Sequence, residues 1–205
     1  WGLTGDAGTI NGTNFLGTTD AQDLDIRTNN VIRHRFTQQG QLEFLNTGYS
    51  VFIGEGAGAN DDLSLNQNVF IGHKAGNANT TGNLNTAIGY DALRFNTTGY
   101  SNVANGIEAL SSNTTGHKNT ATGSFSLITN TTGNDNTANG YAALFTNTTG
   151  FENTANGSSA LTSNLTGSRN TANGVSALML NTTGSYNTAN GHSAMYFNTG
   201  GNFNV

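Results

Sequence analysis

Asn85-Thr86-Ala87-Ile88-Gly89-Tyr90-Asp91-Ala92-Leu93-Arg94-Phe95-Asn96-Thr97-Thr98-Gly99-Tyr100-Ser101 is one turn of a pattern that returns every 17 residues. Counting Asn85 as position 1, the opening Asn recurs from Asn102 to Asn187 and the fifth-place Gly from Gly106 to Gly191. Backwards, Asn68-Val69-Phe70-Ile71-Gly72 keeps the period, and Ser50-Val51-Phe52-Ile53-Gly54 sits one residue further out. The first unit therefore carries an extra residue in its Asp61–Gln67 segment. A period this short makes each unit one structural layer that stacks on its neighbours. The sequence reads as a solenoid, with one coil per 17 residues across 68–203 and an irregular coil at 50–67.

Position 3 is Ala from Ala87 to Ala189, and position 8 is Ala from Ala75 to Ala194 except at Ser126. Position 9 holds Leu93, Leu110, Leu127, Leu144, Leu161, Leu178 and Met195. These recurring apolar places are the expected core. Two short strands per unit fit, near positions 2–5 and 8–11, with Asn-Thr-Thr-Gly at positions 12–15 as the return turn. Gly at positions 5 and 15 supplies positive φ or close backbone approach. No unit holds a long apolar run of period 3.6, which excludes helical repeats. Like strands stacked in register place identical side chains about 4.8 Å apart, a spacing that suits amide ladders. Asn105, Asn139, Asn156, Asn173 and Asn190 at position 4 are the expected ladder, broken at Thr122.

The 49 residues before the repeats form a separate leader, so the chain divides into 1–49 and 50–205. Residues 1–22 read as loops and short extended pieces anchored by Trp1, Leu3, Ile10, Phe15 and Leu16. A three-strand meander follows: a strand over Leu24–Thr28, a turn at Asn29-Asn30, a strand over Val31–Thr37, a turn at Gln38-Gln39-Gly40, and a strand through Leu42 and Phe44 toward Asn46. Arg33-His34-Arg35 is expected to pair with Asp23, Asp25 or Glu43 on a solvated face.

Gly, Asn and Thr dominate, charged residues are 9%, and Pro and Cys are absent. Such a composition suits a disordered chain, but a disordered chain has no reason to keep a register. The formal charge of −5 with only seven Lys and Arg argues against nucleic acid as a partner. No apolar stretch is long enough for a membrane-spanning helix. Both ends read as cuts from a longer polypeptide, with any anchor outside the stretch.

Catalytic groups do not converge in this pattern. Asp91, Glu108, Asp135 and Glu152 occupy variable positions, and His73 and His192 share position 6 but lie seven units apart, roughly 30 Å along the stack. Asp61-Asp62 lacks the spacing of calcium-binding roll repeats and reads as a solvated turn. No metal, cofactor or enzymatic activity is expected. Asn96, Asn113, Asn130, Asn147, Asn164 and Asn181 head Asn-x-Thr triplets, which the repeat's own turn explains without glycosylation. Trp1, Tyr90, Tyr100, Tyr141, Phe151, Tyr186, Tyr196 and Phe197 at variable positions suit either sugar rings or packing on the next coil.

The segments Asn85-Thr86-Ala87-Ile88-Gly89-Tyr90 and Ser50-Val51-Phe52-Ile53-Gly54-Glu55-Gly56-Ala57 resemble the head repeats of trimeric autotransporter adhesins of the YadA type. The longer unit and the leader from Asn14 to Asn30 resemble trimeric tail-fibre proteins of bacteria and phage-like particles. The resemblance implies an all-β parallel β-roll, three chains around one axis, an extracellular, cell-surface or particle-surface location, and a structural and adhesive role toward a host-cell, matrix or glycan receptor. It carries over no binding residue, because the family motif is structural. Small residues at positions 3 and 8 would allow flat faces of neighbouring chains to approach. A different expectation comes from Thr97, Thr114, Thr131, Thr148 and Thr182 at position 13, with a second Thr rank at position 14. Regular hydroxyl rows of that kind suit an ice-binding surface.

Overall fold

The computed structural model describes residues 20–205. The expected anchors Trp1, Leu3, Ile10, Phe15 and Leu16, and the family-like stretch from Asn14 through 19, lie outside the described residues. Those described form strands and turns with no helix. They fall into two units that divide between Asn46 and Thr47.

The first unit is an antiparallel meander of β1 (Leu24–Thr28), β2 (Val31–Phe36) and β3 (Leu42–Phe44) in the order β1-β2-β3. Asn29 and Asn30 turn the first hairpin with φ of 48° and 59°, the two left-handed residues a tight hairpin needs and Asn tolerates. A bulge between Ile26 and Arg27 shifts the β1–β2 register. Arg35 donates to Asp25 at 2.8 Å and lies 3.6 Å from Asp23, as the charge pattern implied. The Arg35 hydrogen bond, followed by that from Arg27, holds the Asp25 carboxyl below its ordinary range.

The second unit is a parallel β-solenoid. Its nine-stranded sheet runs from β4 (Val51–Ile53) and β5 (Val69–Ile71) through β6 (Thr86–Ile88), β7 (Val103–Asn105), β8 (Thr120–Thr122), β9 (Thr137–Asn139), β10 (Thr154–Asn156) and β11 (Thr171–Asn173) to β12 (Thr188–Asn190). Like pairs with like: Ala121 lies beside Ala138, and Ala138 beside Ala155. The roll begins at Thr47 because that hydroxyl already bonds the Leu63 carbonyl, and the Gly48 carbonyl accepts from Gln67.

Each coil has one strand, at positions 2–4, and the second strand expected at positions 8–11 is replaced by turns. The cause is the backbone at positions 7 and 9, where Glu108 and Leu110 have φ of 54° and 52° and every later coil repeats the pair. Two left-handed residues flanking position 8 curl the chain instead of extending it. The N–H groups then divide their work. Ala109, Ser111 and Asn113 donate back three residues within the coil, while Glu108, Leu110 and Ser112 donate to neighbouring coils. No position-7, position-9 or position-17 residue of the roll is Val, Ile or Thr. β-branched side chains are the ones that tolerate φ near +55° least.

Leu93, Leu110, Leu127, Leu144, Leu161 and Leu178 are fully enclosed, with Met195 partly so. The first two coils fill the same space differently. They carry Phe52 and Phe70 at position 3 with Gly58 and Gly76 at position 9, whereas later coils carry Ala with Leu, or with Met195 in the last. The two Phe rings stack at 5.4 Å, and a Cβ on Gly76 would lie 2.4 Å from the Phe70 ring. The chain therefore makes a volume-conserving exchange across its core. Phe70→Ala/Gly76→Leu is expected to stay within about 1.5 kcal/mol of the unmodified chain. Phe70→Ala alone opens a cavity and falls well below the double variant in urea unfolding.

At positions 3 and 8 the alanines from Ala75 to Ala177 are also fully enclosed within a single chain. They are thus not the flat contact faces that the sequence suggested. What closes the thin core is Asn at positions 1 and 12, wholly buried from Asn68 to Asn187 apart from a trace at Asn85.

Candidate functional site

A buried amide is costly unless every donor and acceptor is met. The 17-residue period meets them. Asn119 Nδ2 donates to Asn102 Oδ1 at 3.2 Å and to the Gly133 carbonyl at 2.8 Å, and its backbone N–H donates to the same Oδ1 at 3.0 Å. Asn136 repeats all three bonds onto Asn119 and Gly150. At position 12, Asn113 Nδ2 donates to Asn96 Oδ1 at 2.8 Å and to the Gly116 carbonyl at 2.9 Å. Two amide ladders therefore run the length of the roll interior, both donating toward the N-terminal coil.

At the first coil each ladder ends on a group that accepts. Ser50 Oγ accepts from the Asn68 N–H and donates to the Gly48 carbonyl. Asp61, in the place of the position-12 Asn, accepts from Asn79 and Asn68 on Oδ2 and from Leu63 N–H and Asn66 on Oδ1. A carboxylate, having only acceptors, suits a place where four donors converge. Asp61 is a ladder terminus and not the solvated turn residue the sequence suggested. Its neighbour Asp62 is exposed, and hydrogen bonds from the Ser64 hydroxyl and N–H, then Asn66, hold its carboxyl below the ordinary range.

The position-4 ladder exists on the outer surface. Asn139 donates to Asn156, Asn156 to Asn173, and Asn173 to Asn190, each at 2.9 Å. Its direction is opposite to that of the interior ladders. Asn105 stands beside Thr122 in the strand register, outside this run.

The Asn of every Asn-x-Thr triplet named above is fully buried with its Nδ2 committed to the ladder. These are structural amides in the folded chain. The position-13 Thr rank is also committed: Thr97, Thr114 and Thr131 donate their hydroxyls to the position-13 carbonyl of the next coil at 3.0–3.1 Å.

Side chains of chemical interest stay dispersed. His73 stacks on Tyr90 at 5.1 Å, with its Nδ1 3.7 Å from the buried Asp91 carboxylate that Arg94 pairs at 2.8 Å. His192 lies beside the Ser193 hydroxyl. Among the described residues no three His, Cys, Asp or Glu side chains converge on a metal-sized site. The aromatic rings pack on their neighbours along the stack, Tyr100 on His117 at 4.6 Å and Tyr186 on Phe203 at 4.8 Å. Phe151 and Tyr186 flank the Arg169 guanidinium, which also bonds Glu152 and the Tyr186 hydroxyl. Tyr90, Tyr141 and Phe197 nevertheless stay 50%, 58% and 81% exposed. At the last coil Met195, Tyr196, Phe197 and Phe203 line a recess of about 610 Å³. No helix among the described residues is long and apolar enough to cross a membrane. No protein-family model, curated protein or solved structure matches the chain.

Proposed function

We propose that this chain is a rod segment of an extracellular trimeric fibre, of the surface-adhesin or tail-fibre type, that carries an attachment region toward a host-cell, matrix or glycan receptor. One observation carries the reading: the interior repeats coil after coil, while the outward positions, some regular and some variable, bring no three His, Cys, Asp or Glu side chains together. Ladders that bond each coil to both neighbours along nine strands make a stiff element. Stiffness and length are what a fibre shaft needs, and a catalytic pocket is not. The likeness of the Asn85–Tyr90 segment to adhesin head repeats supports three copies. The low charge and few cations favour a neutral or proteinaceous target over nucleic acid.

Sedimentation equilibrium tests the assembly. At micromolar concentration the chain is expected to sediment with three times its 21.3 kDa mass, and its unfolding midpoint to rise with concentration. A folded monomer with a concentration-independent midpoint contradicts the trimer.

A further inference from the structure

The fold fixes Gly at position 5. From Gly54 to Gly191 this residue has φ between 121° and 144°, and from Gly54 to Gly174 a Cβ would meet the backbone of the next coil at 2.4–2.7 Å. An Asn at position 4 is therefore always followed by Gly, as at Asn105, Asn139, Asn156, Asn173 and Asn190. In an Asn-Gly pair the side-chain amide is most open to attack by the following backbone nitrogen, because glycine has no side chain to hinder the approach. The interior Asn residues of positions 1 and 12 are followed by Thr, Val or Leu instead. Asn105, Asn139, Asn156 and Asn173 lie in strands paired on both sides, and each is preceded by Ala. Their glycine N–H groups are committed alike: Gly106 donates to the Ile88 carbonyl at 2.9 Å, Gly140 to Thr122 at 2.8 Å, Gly157 to Asn139 at 2.8 Å and Gly174 to Asn156 at 2.7 Å. The side chains differ. Asn139 donates to Asn156, while Asn156 and Asn173 each accept one amide bond and donate another. Asn105 faces Thr122, and among the described residues no side-chain amide bond joins it to a neighbour.

We infer that Asn105 is a site of spontaneous deamidation in the folded roll, and that the position-4 ladder shields Asn139, Asn156 and Asn173 from the same reaction. When the strand opens locally, the Gly106 nitrogen attacks Cγ of Asn105. The N–Cγ bond forms, the Cγ–Nδ2 bond breaks, and Nδ2 leaves as ammonia with the proton that the Gly106 nitrogen gives up. Water then adds to one carbonyl carbon of the cyclic imide and cleaves the bond from that carbon to nitrogen. Cleavage at Cγ leaves an ordinary aspartate, and cleavage at the backbone carbonyl leaves a β-linked one with an extra methylene in the main chain. Nothing is oxidised or reduced, and water is the only co-reactant. A main chain lengthened within β7 cannot keep its register with β6 and β8, so the product is a lasting defect in the stack. Opening at Asn105 breaks backbone bonds alone. Opening at a laddered Asn also breaks one or two amide bonds, each a factor of about five in the open population.

The test is peptide mapping by mass spectrometry after the full chain is held in mildly alkaline buffer, with circular dichroism showing that it stays folded. Asn105 is expected to convert about fivefold faster than Asn139, and Asn139 faster than Asn156 and Asn173. In urea the four sites, alike in their flanking Ala and Gly, should convert at similar rates. Two variants move the ladder without leaving the residue types that the rank already carries. Thr122→Asn gives the Asn105 amide an acceptor and is expected to slow its conversion about fivefold. Asn156→Thr puts Asn139 in the position that Asn105 holds beside Thr122, and should bring its rate up to that of Asn105. Equal rates at the four sites in the folded chain would overturn the shielding. So would a Thr122→Asn variant in which Asn105 converts as before. An Asn105 that stays intact in the folded chain while the urea sample converts fully would overturn the assignment of the site.

Discussion

Gly140→Ala is expected to destabilise the roll by at least about 3 kcal/mol, read as a shift in the urea unfolding midpoint. Gly140 has φ of 135°, a conformation whose cost for a residue with a Cβ is roughly 1–3 kcal/mol. The new Cβ would also lie 2.6 Å from the Gly157 carbonyl carbon and 2.7 Å from its oxygen. Backbone held in a ladder on both sides cannot step aside, and overpacking of this kind costs roughly 1–3 kcal/mol more. Gly191 separates the two effects. It shares the conformation, with φ of 121°, but open space surrounds its missing Cβ. Gly191→Ala should therefore lose the conformational part alone. Equal losses at the two sites would show that coil-to-coil approach does not set the position-5 glycine.

Leu144→Asp is expected to be at least as damaging. Leu144 is fully enclosed in the core with the interior Ala and Leu ranks, so the change forfeits roughly 1.5–3 kcal/mol of burial. It also places a carboxylate among groups already committed to one another, which costs several kcal/mol more or forces the group to be neutral. Asp135→Asn, on the exposed position-17 rank, should stay within about 0.5 kcal/mol. A Leu144→Asp variant that melts within a degree or two of the unmodified chain would overturn the inside–outside assignment.

Much of this architecture is legible in the sequence, and the parts that were not have identifiable causes. The period, the parallel pairing of like positions, the enclosed Leu rank and the antiparallel leader follow from spacing and alternation alone. Positions 8–11 do not form the expected strand because the left-handed residues at positions 7 and 9 curl the chain there. The signal was present as the absence of Val, Ile and Thr at positions 7, 9 and 17. Asn at positions 1 and 12 gives no interior signal by itself, because a lone Asn is polar and only stacking in register supplies each amide with its partner. Asp61 at the head of the position-12 row, and Ser50 at the head of the position-1 row, mark where such ladders must end. The exchange of Phe with Gly for Ala with Leu was likewise visible as paired changes at positions 3 and 9.

The most direct test of the account is hydrogen exchange of the asparagine side-chain amides, followed by nuclear magnetic resonance. If two buried ladders hold the roll together, the Nδ2 protons of Asn102–Asn187 at position 1 and Asn96–Asn181 at position 12 will persist in deuterium oxide alongside the slowest backbone amides. Those of Asn139, Asn156, Asn173 and Asn190 on the outer rank will exchange sooner. Interior amides that exchange as fast as those of free asparagine would contradict the ladders, and with them the explanation of how so thin a core stays folded.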